Sequence, residues 1–209
     1  ADVQARNIHT NADGTSEFEL WIDGSSADVR LALLGEHNIS NALAAAAVGL
    51  AVGMTVAEIA QAVARVERKS KWRMEVHSLA CGITIINDAY NANPESMAAA
   101  LKTLASFNTF GRTWAVLGAM AELGDDTIAE HDRIGRLVVR LNISQLVSVG
   151  DSARALFLGA NQEGSWDGES VWFPNFAQAS DYIVERAVRG DTILFKASRS
   201  GAFELLAQD

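Results

Sequence analysis

The segment Asn87-Asp88-Ala89-Tyr90-Asn91-Ala92-Asn93 packs a carboxylate, a phenol and three amides into seven residues. An apolar run, residues 83–86, precedes it, and Pro94-Glu95-Ser96-Met97 follows. Asn93 suits a helix N-cap, and Pro94 suits the first helical position, where a missing N–H costs nothing. Loops that follow strands in α/β sheets are where ligands bind. A well-capped strand–helix turn accounts for the same residues, so the pattern alone leaves both readings open.

Four further clusters could do chemistry. In Gly35-Glu36-His37-Asn38-Ile39-Ser40-Asn41, the two asparagines are three apart, which on a helix sets them on a face shared with Ala42 and Ala45. Their amides can donate to and accept from an adenine edge; helix capping by His37-Asn38 is the alternative. Arg73, in Lys71-Trp72-Arg73-Met74-Glu75, stands at a strand start, where its planar fork could reach a phosphate or pair with a surface carboxylate. Gly118-Ala119-Met120-Ala121-Glu122-Leu123-Gly124 leads into Asp125, Asp126, Glu130, His131 and Asp132. That run suggests a metal, but Asp125 and Asp126 fit better as favourable charges at a helix N-terminus. Finally, Lys196-Ala197-Ser198-Arg199-Ser200 offers hydroxyls and cations just after a buried strand, suited to a carboxylate or to capping a helix.

These clusters need elements to hold them. Residues 1–34 read as an antiparallel sheet edge, with strands at 3–9, 17–22 and 28–33 separated by turns at Asn11-Ala12-Asp13-Gly14 and Asp23-Gly24-Ser25. Residues 37–53 read as a buried, alanine-rich helix. Thr55-Val56-Ala57-Glu58 is a capping box for a second helix to about residue 66, with apolar positions 56, 59, 60, 63 and 66 on one face. The cationic break Glu67-Arg68-Lys69-Ser70-Lys71 reads as a linker and hinge between domains 1–70 and 71–209. Beyond it, strands at 73–79 and 83–87 join at Ala80-Cys81-Gly82. Helices are expected at 96–107, 127–141, 153–159, 176–188 and 202–207, and strands at 113–117, 146–149, 171–173 and 192–195, with a Gly-rich acidic loop at 160–170. This alternation implies an α/β fold with a doubly wound, mostly parallel sheet. It lines up residues 88–93, 118–124, 150–151 and 196–200 along one sheet edge.

Composition narrows the function. At 209 residues and 49% hydrophobic, the chain can bury a core. Its net charge of −9 argues against nucleic acid and anionic membranes, while leaving room for a nucleotide held by local cations and helix N-termini. The single Cys81 rules out an internal disulfide and fits a reducing compartment. The longest apolar run, residues 42–54, is too short to span a bilayer, which takes about 20 residues. The chain has no GxxxxGK[ST] phosphate loop, GxGxxG, CxxC, HExxH or GxSxG motif. An autonomous NTPase, dehydrogenase, zinc enzyme or α/β-hydrolase is therefore not expected. The lack of an initiator Met and a start within a strand point to a fragment.

Asp-Ala-Tyr-Asn-Ala-Asn-Pro followed by Ser-Met resembles the signature of the Mur ligases, and the likeness runs from about residue 34 onward. His-Asn-x-x-Asn before an alanine-rich helix is similar to their central-domain motif, and Leu-Phe-Lys-Ala-Ser-Arg to their Val-Lys-Gly/Ala-Ser-Arg segment. Val-Leu-Gly-Ala-Met-Ala-Glu-Leu-Gly with a downstream His is similar to the branch that adds D-alanyl-D-alanine to UDP-MurNAc-tripeptide, except that Ala119 replaces an acidic residue. Trp72 likewise replaces a usual glycine before Arg73.

The resemblance implies a Rossmann-like C-terminal domain preceded by a partial end of the central ATPase domain. It implies ATP-dependent amide-bond formation in peptidoglycan precursor synthesis through an acyl phosphate. By the same resemblance His37, Asn38, Asn41, Arg73, Asp88, Tyr90 and Asn91 would bind ATP, with Asp88 on the ribose hydroxyls. Lys196, Ser198, Arg199 and Ser200 would bind the dipeptide. Mg²⁺ would be held outside this chain, and no catalytic residue is assigned within it, so the chain alone would be inactive. The parent would be a cytoplasmic monomer. A sister amide ligase, such as another Mur enzyme or folylpolyglutamate synthase, and a non-catalytic α/β binding module are the competing readings.

Overall fold

The computed structural model describes residues 2–66, 73–107, 110–164 and 169–198. The chain divides into two compact units, Ala1–Lys69 with Ser106–Asn108, and Ser70–Ala105 with Thr109–Asp209.

In the first unit, β1 (Val3–Thr10), β2 (Thr15–Ile22) and β3 (Ser25–Leu34) form an antiparallel sheet in chain order. Asp23 and Gly24 both take positive φ, which matches the right-handed twist of a two-residue hairpin. Burial alternates along β2, so Phe18, Leu20 and Ile22 line one face with Val29 and Leu31 of β3. Two helices close that face, α1 (His37–Ala51) through Ile39, Ala42 and Ala46, and α2 (Val56–Ala64) through Ile59, Ala60 and Val63. The Thr55–Glu58 capping box is formed in both directions. Helix α1 departs from the expectation of a wholly buried helix. One stripe is buried, while Ala44, Ala45, Ala47 and Val48 are exposed. Alanine favours the helix but buries little area, so composition does not fix its depth.

The second unit holds a six-stranded sheet in the order β4-β5-β9-β6-β7-β8. Its strands are β4 (Glu75–Ser78), β5 (Thr84–Asn87), β6 (Thr113–Leu117), β7 (Gln145–Val149), β8 (Ser170–Phe173) and β9 (Thr192–Lys196). All neighbours pair in parallel except β4, which runs antiparallel at the edge. The crossovers are α3 (Pro94–Ser106), α4 (Thr127–Arg140), α5 (Arg154–Glu163) and α6 (Phe176–Arg186). Trp114, Val116, Val147, Ile193 and Phe195 pack with Ala179 and Ile183 of α6. The residues between them, such as Ala115 and Leu194, turn to the other face and are equally buried, so both faces are covered.

Helix α5 runs four residues past its expected end, through positions read as loop, and stops at Gly164 in the left-handed region. Tertiary packing overrides the Gly-rich, acidic look of that stretch. The expected hinge at 67–71 and the expected helix at 202–207 lie outside the described residues.

Helices α4 and α5 cross at two glycines. A Cβ on Gly135 would meet the Leu156 carbonyl oxygen at 2.0 Å, and one on Gly159 would meet the Asp132 carbonyl oxygen at 2.3 Å. Backbone cannot step aside as a flexible side chain can. Gly135→Ala or Gly159→Ala should therefore lower the unfolding free energy by about 1–3 kcal/mol, the usual cost of overpacking. Chemical denaturation followed by circular dichroism checks this, and an unchanged midpoint for both variants would contradict the crossing.

Candidate functional site

Strand β9 comes last among the described strands, yet it lies between β5 and β6. Its C-terminal end therefore falls between the loops after those two strands, at a switch point of the sheet. Backbone bonds stitch the three segments together. Asp88 N–H donates to Phe195 O (2.9 Å), Gly118 N–H to Lys196 O (2.9 Å) and Ser198 N–H to Ala119 O (3.0 Å).

At the centre are two residues that sequence reasoning assigned to different ligands. Lys196 Nζ donates to Asp88 Oδ2 at 2.6 Å and to the Asn91 carbonyl at 2.9 Å. The side chains are 2% and 13% exposed respectively. The other carboxylate oxygen, Asp88 Oδ1, accepts the Met74 N–H at 3.0 Å. Met74 is buried in the left-handed region, at φ 51°. That conformation costs a non-glycine residue about 1–3 kcal/mol and persists only where its surroundings enforce it. Next to it, the Arg73 guanidinium lies over the Tyr90 ring, 4.4 Å from the centroid. The structure thus brings Arg73, Asp88, Tyr90, Asn91 and Lys196 into one cluster. Asn91 contributes its backbone carbonyl, and its side chain is exposed.

The loop itself is capped as expected. Asn93 Oδ1 accepts the Ser96 N–H at 2.8 Å, and Ser96 Oγ accepts the Asn93 N–H at 3.1 Å, just before α3 begins at Pro94. Asn87 Oδ1 accepts the Ala89 N–H at 3.2 Å, turning the chain inward.

Ser198 is 4% exposed. Its Oγ accepts the Ala121 N–H at 2.8 Å and donates to the Ala92 carbonyl at 3.4 Å, tying the 88–93 and 118–124 loops to β9. His131, on α4, holds the 118–124 loop from the other side. Its Nε2 accepts the Met120 N–H at 2.9 Å, which sets Nδ1–H to donate to the Thr127 carbonyl at 2.6 Å. Both ring nitrogens are thereby used by backbone. The neighbouring carboxylates have partners too, Glu130 with Arg133 and Asp132 with Arg136. Asp125 and Asp126 lie in a short 3₁₀ turn ahead of α4.

In the first unit, His37 opens α1 and the N-cap is Glu36, which makes no side-chain cap bond. Capping by His37-Asn38 is therefore not what these residues do. Asn38 Nδ2 donates to the Leu34 carbonyl at 2.8 Å, and Asn41 Nδ2 donates to Asn38 Oδ1 at 3.1 Å, so the amides form a chain along the first turn. Asn41 and Ala45 are exposed, whereas Ala42 turns into the core. Trp72, Arg199 and Ser200 lie outside the described residues.

Two features escaped the sequence reading. One is the Asp88–Lys196 pair, although a lysine closing the apolar run Ile193-Leu194-Phe195 signals that a buried cation needs an anion. The other is Asp191, at the opposite end of β9. It accepts Arg112 N–H (2.8 Å), Arg112 Nη2 (2.9 Å), Trp114 Nε1 (2.9 Å) and Val188 N–H (3.1 Å). Burial pushes this carboxyl up, but the bonds from Arg112, Val188 and Trp114 outweigh that and hold it below its ordinary value. An Asp after Gly190 reads as an ordinary turn, so only the fold shows its four donors.

With the geometry established, comparison with known proteins identifies the chain. Residues 72–199 match the family described as Mur ligase, glutamate ligase domain, and residues 1–49 match the Mur ligase middle domain. The chain belongs to the Mur ligase family. Within it, similar proteins include MurF enzymes. The chain is 45% identical over 196 residues to the UDP-N-acetylmuramoyl-tripeptide--D-alanyl-D-alanine ligase of Mycobacterium leprae, covering 87% of this chain and 38% of that protein. It is 40% identical over 223 residues to the enzyme of the same name from Mycobacterium tuberculosis (strain ATCC 25618 / H37Rv), covering 99% and 44%. The crystal structure of MurF from Acinetobacter baumannii matches with a TM-score of 0.86 at 32% identity, over 99% of this chain and 44% of that one. The chain thus spans less than half the length of these relatives.

Burial lowers the affinity of His131 for a proton, more than its bond to the Thr127 carbonyl and the charge of Glu130 raise it. The neutral form is therefore favoured by folding. Above the ordinary imidazole value of about 6.5, folded and unfolded states are both neutral and the stabilisation is complete. As pH falls through that value the unfolded state takes up the proton first, and stability is lost until the folded form titrates. Thermal melts between pH 8 and 5 should show this decline, and His131→Gln should flatten it. An equal slope in the variant would assign the decline to other groups.

Proposed function

We propose that this chain is the C-terminal portion of a D-alanyl-D-alanine-adding ligase, the MurF activity named for its relatives. Residues 1–70 are then the end of the central ATP-binding domain, and residues 71–209 the domain that presents the dipeptide. The observation that carries this reading is the switch-point cluster. A stacked arginine, a partnered aspartate and a hydroxyl-bearing segment converge where β5, β9 and β6 end.

In the reaction, ATP phosphorylates the terminal carboxylate of UDP-MurNAc-tripeptide. The amine of D-alanyl-D-alanine attacks the acyl phosphate, and the tetrahedral intermediate collapses with loss of phosphate. Arg73 presents its planar guanidinium to the nucleotide, and stacking on Tyr90 keeps it aimed. Asp88 retains lone pairs beyond those used by Met74 and Lys196, which suit the ribose hydroxyls. His37, Asn38 and Asn41 offer amide and imidazole edges to the nucleotide from the central domain, and Asn91 borders Asp88 in the loop. Ser198, Arg199 and Ser200 form the segment that meets the dipeptide.

Among the described residues no group of three His, Cys, Asp or Glu side chains is set to hold a metal ion. The ligase reading, by the family resemblance, assigns Mg²⁺ to the part of the parent protein that this chain does not span. No described helix is long and apolar enough to cross a membrane.

The test is ADP release by the full-length protein with UDP-MurNAc-tripeptide, Mg·ATP and D-alanyl-D-alanine. Turnover that depends on the dipeptide is expected, and its absence in a folded protein would overturn the assignment. Arg73→Ala should cut kcat/KM for ATP by about 10- to 100-fold, the worth of one charge-assisted hydrogen bond. An unchanged value would remove Arg73 from the nucleotide site.

A further inference from the structure

We infer that Lys196 is a positioning residue for the nucleotide side of the site, rather than a ligand of the dipeptide carboxylate. The inference rests on the ligase reading above and deepens it.

The geometry carries the case. Lys196 ends a strand in which every residue is buried, and it is itself 2% exposed. Its ammonium is engaged at 2.6 Å by Asp88 Oδ2 and at 2.9 Å by the Asn91 carbonyl. A cation held this way is not placed to capture an incoming carboxylate, which would have to compete with an anion already in contact. What it does is fix Asp88. With Oδ2 on Lys196, the carboxylate has one rotational setting, and in that setting Oδ1 receives the Met74 N–H at 3.0 Å. That bond holds Met74 in its left-handed backbone, at φ 51°, and so sets the direction of Arg73 just before it. The second bond from Nζ fixes the backbone of the loop carrying Tyr90, on which the Arg73 guanidinium stacks. One ammonium thus orients both Asp88 and Arg73 without meeting the nucleotide. Substrate-facing geometry generally depends on such supporting contacts.

The consequence separates this role from both alternatives. A dipeptide ligand would affect KM for D-alanyl-D-alanine. A merely structural lysine would lower the amount of folded enzyme and leave both KM values alone. A positioning lysine shifts the nucleotide parameters selectively, and acts through Asp88.

The experiment uses the full-length protein carrying Lys196→Met, Lys196→Arg, Asp88→Asn and the double variant Lys196→Met/Asp88→Asn. Steady-state KM for ATP and for D-alanyl-D-alanine is measured on each, together with Mg·ADP affinity by titration calorimetry. Lys196→Met should raise KM for ATP and weaken Mg·ADP binding by about 10-fold or more, with KM for the dipeptide within about 2-fold of the parent. Lys196→Arg, which keeps a cation in reach of Asp88, should recover part of the loss. The double variant should be no worse than Asp88→Asn alone, because residues acting as one unit are not additive. It also leaves no buried charge unpaired, so it reports even if Lys196→Met does not fold.

A rise in KM for the dipeptide with ATP parameters unchanged would overturn the inference and return Lys196 to the dipeptide. So would full additivity of the two substitutions. If the parent binds Mg·ADP but does not use D-alanyl-D-alanine, the ligase assignment fails, while weakened Mg·ADP binding in the Lys196 variants would still support the positioning role.

Discussion

The buried contact between Lys196 and Asp88 is the constraint on which the site depends. A charged amine cannot stay at the end of a central strand without an anion, and a carboxylate this enclosed needs donors on both oxygens. Meeting both needs joins residues 108 positions apart. It fixes the ends of β5 and β9 relative to one another and holds Met74 in a backbone conformation it would not adopt alone. A buried ion pair of this kind is weak evidence for stability, because desolvating two charges offsets much of their attraction. Its value here is geometric: it leaves one arrangement of the loop in which the hydrogen bonds close.

The same logic extends across the sheet edge. His131 and Ser198 each receive a backbone N–H from the 118–124 loop. Ser198 also donates to the Ala92 carbonyl, so one hydroxyl joins loops from three strands. Polar groups buried at this sheet edge must be satisfied within the protein, and here backbone groups of the neighbouring loops satisfy them. The result is a floor of fixed loops beneath the more exposed Arg73, Tyr90 and Asn91. At the opposite end of β9, Asp191 gathers four donors in the same way. Both ends of the central strand are therefore anchored by carboxylates.

Substitutions relative to the family pattern can be placed in this frame. Ala119 stands where the resemblance expects an acidic side chain, and its carbonyl accepts the Ser198 N–H. That bond needs only backbone, so the loop keeps its tie to β9 whichever side chain stands there. In the run from Asp125 to Asp132, His131 accepts the Met120 N–H, Glu130 pairs with Arg133 and Asp132 with Arg136.

Sequence by itself determined the elements. Period-2 and period-3.6 patterns, the Thr55 capping box, the Asn93-Pro94 helix start and the Asp23-Gly24 turn are local, because they depend on residues a few positions apart. The motifs also marked the segments that meet at the sheet edge, since α/β alternation fixes where strands end. Only the tertiary structure decided the rest. No local pattern says that β9 inserts between β5 and β6, because strand order is set by the packing of whole layers. Without that order, Lys196 has no visible partner, Asp191 looks like a turn residue, and His131 looks like a possible metal ligand. The length of α5 and the half-exposed state of α1 were also beyond local reading, since helix packing fixes both. What the sequence could name was the chemistry available at each position. Which groups face a ligand, and which face one another, depends on contacts between residues far apart in the chain, and only folding brings those together.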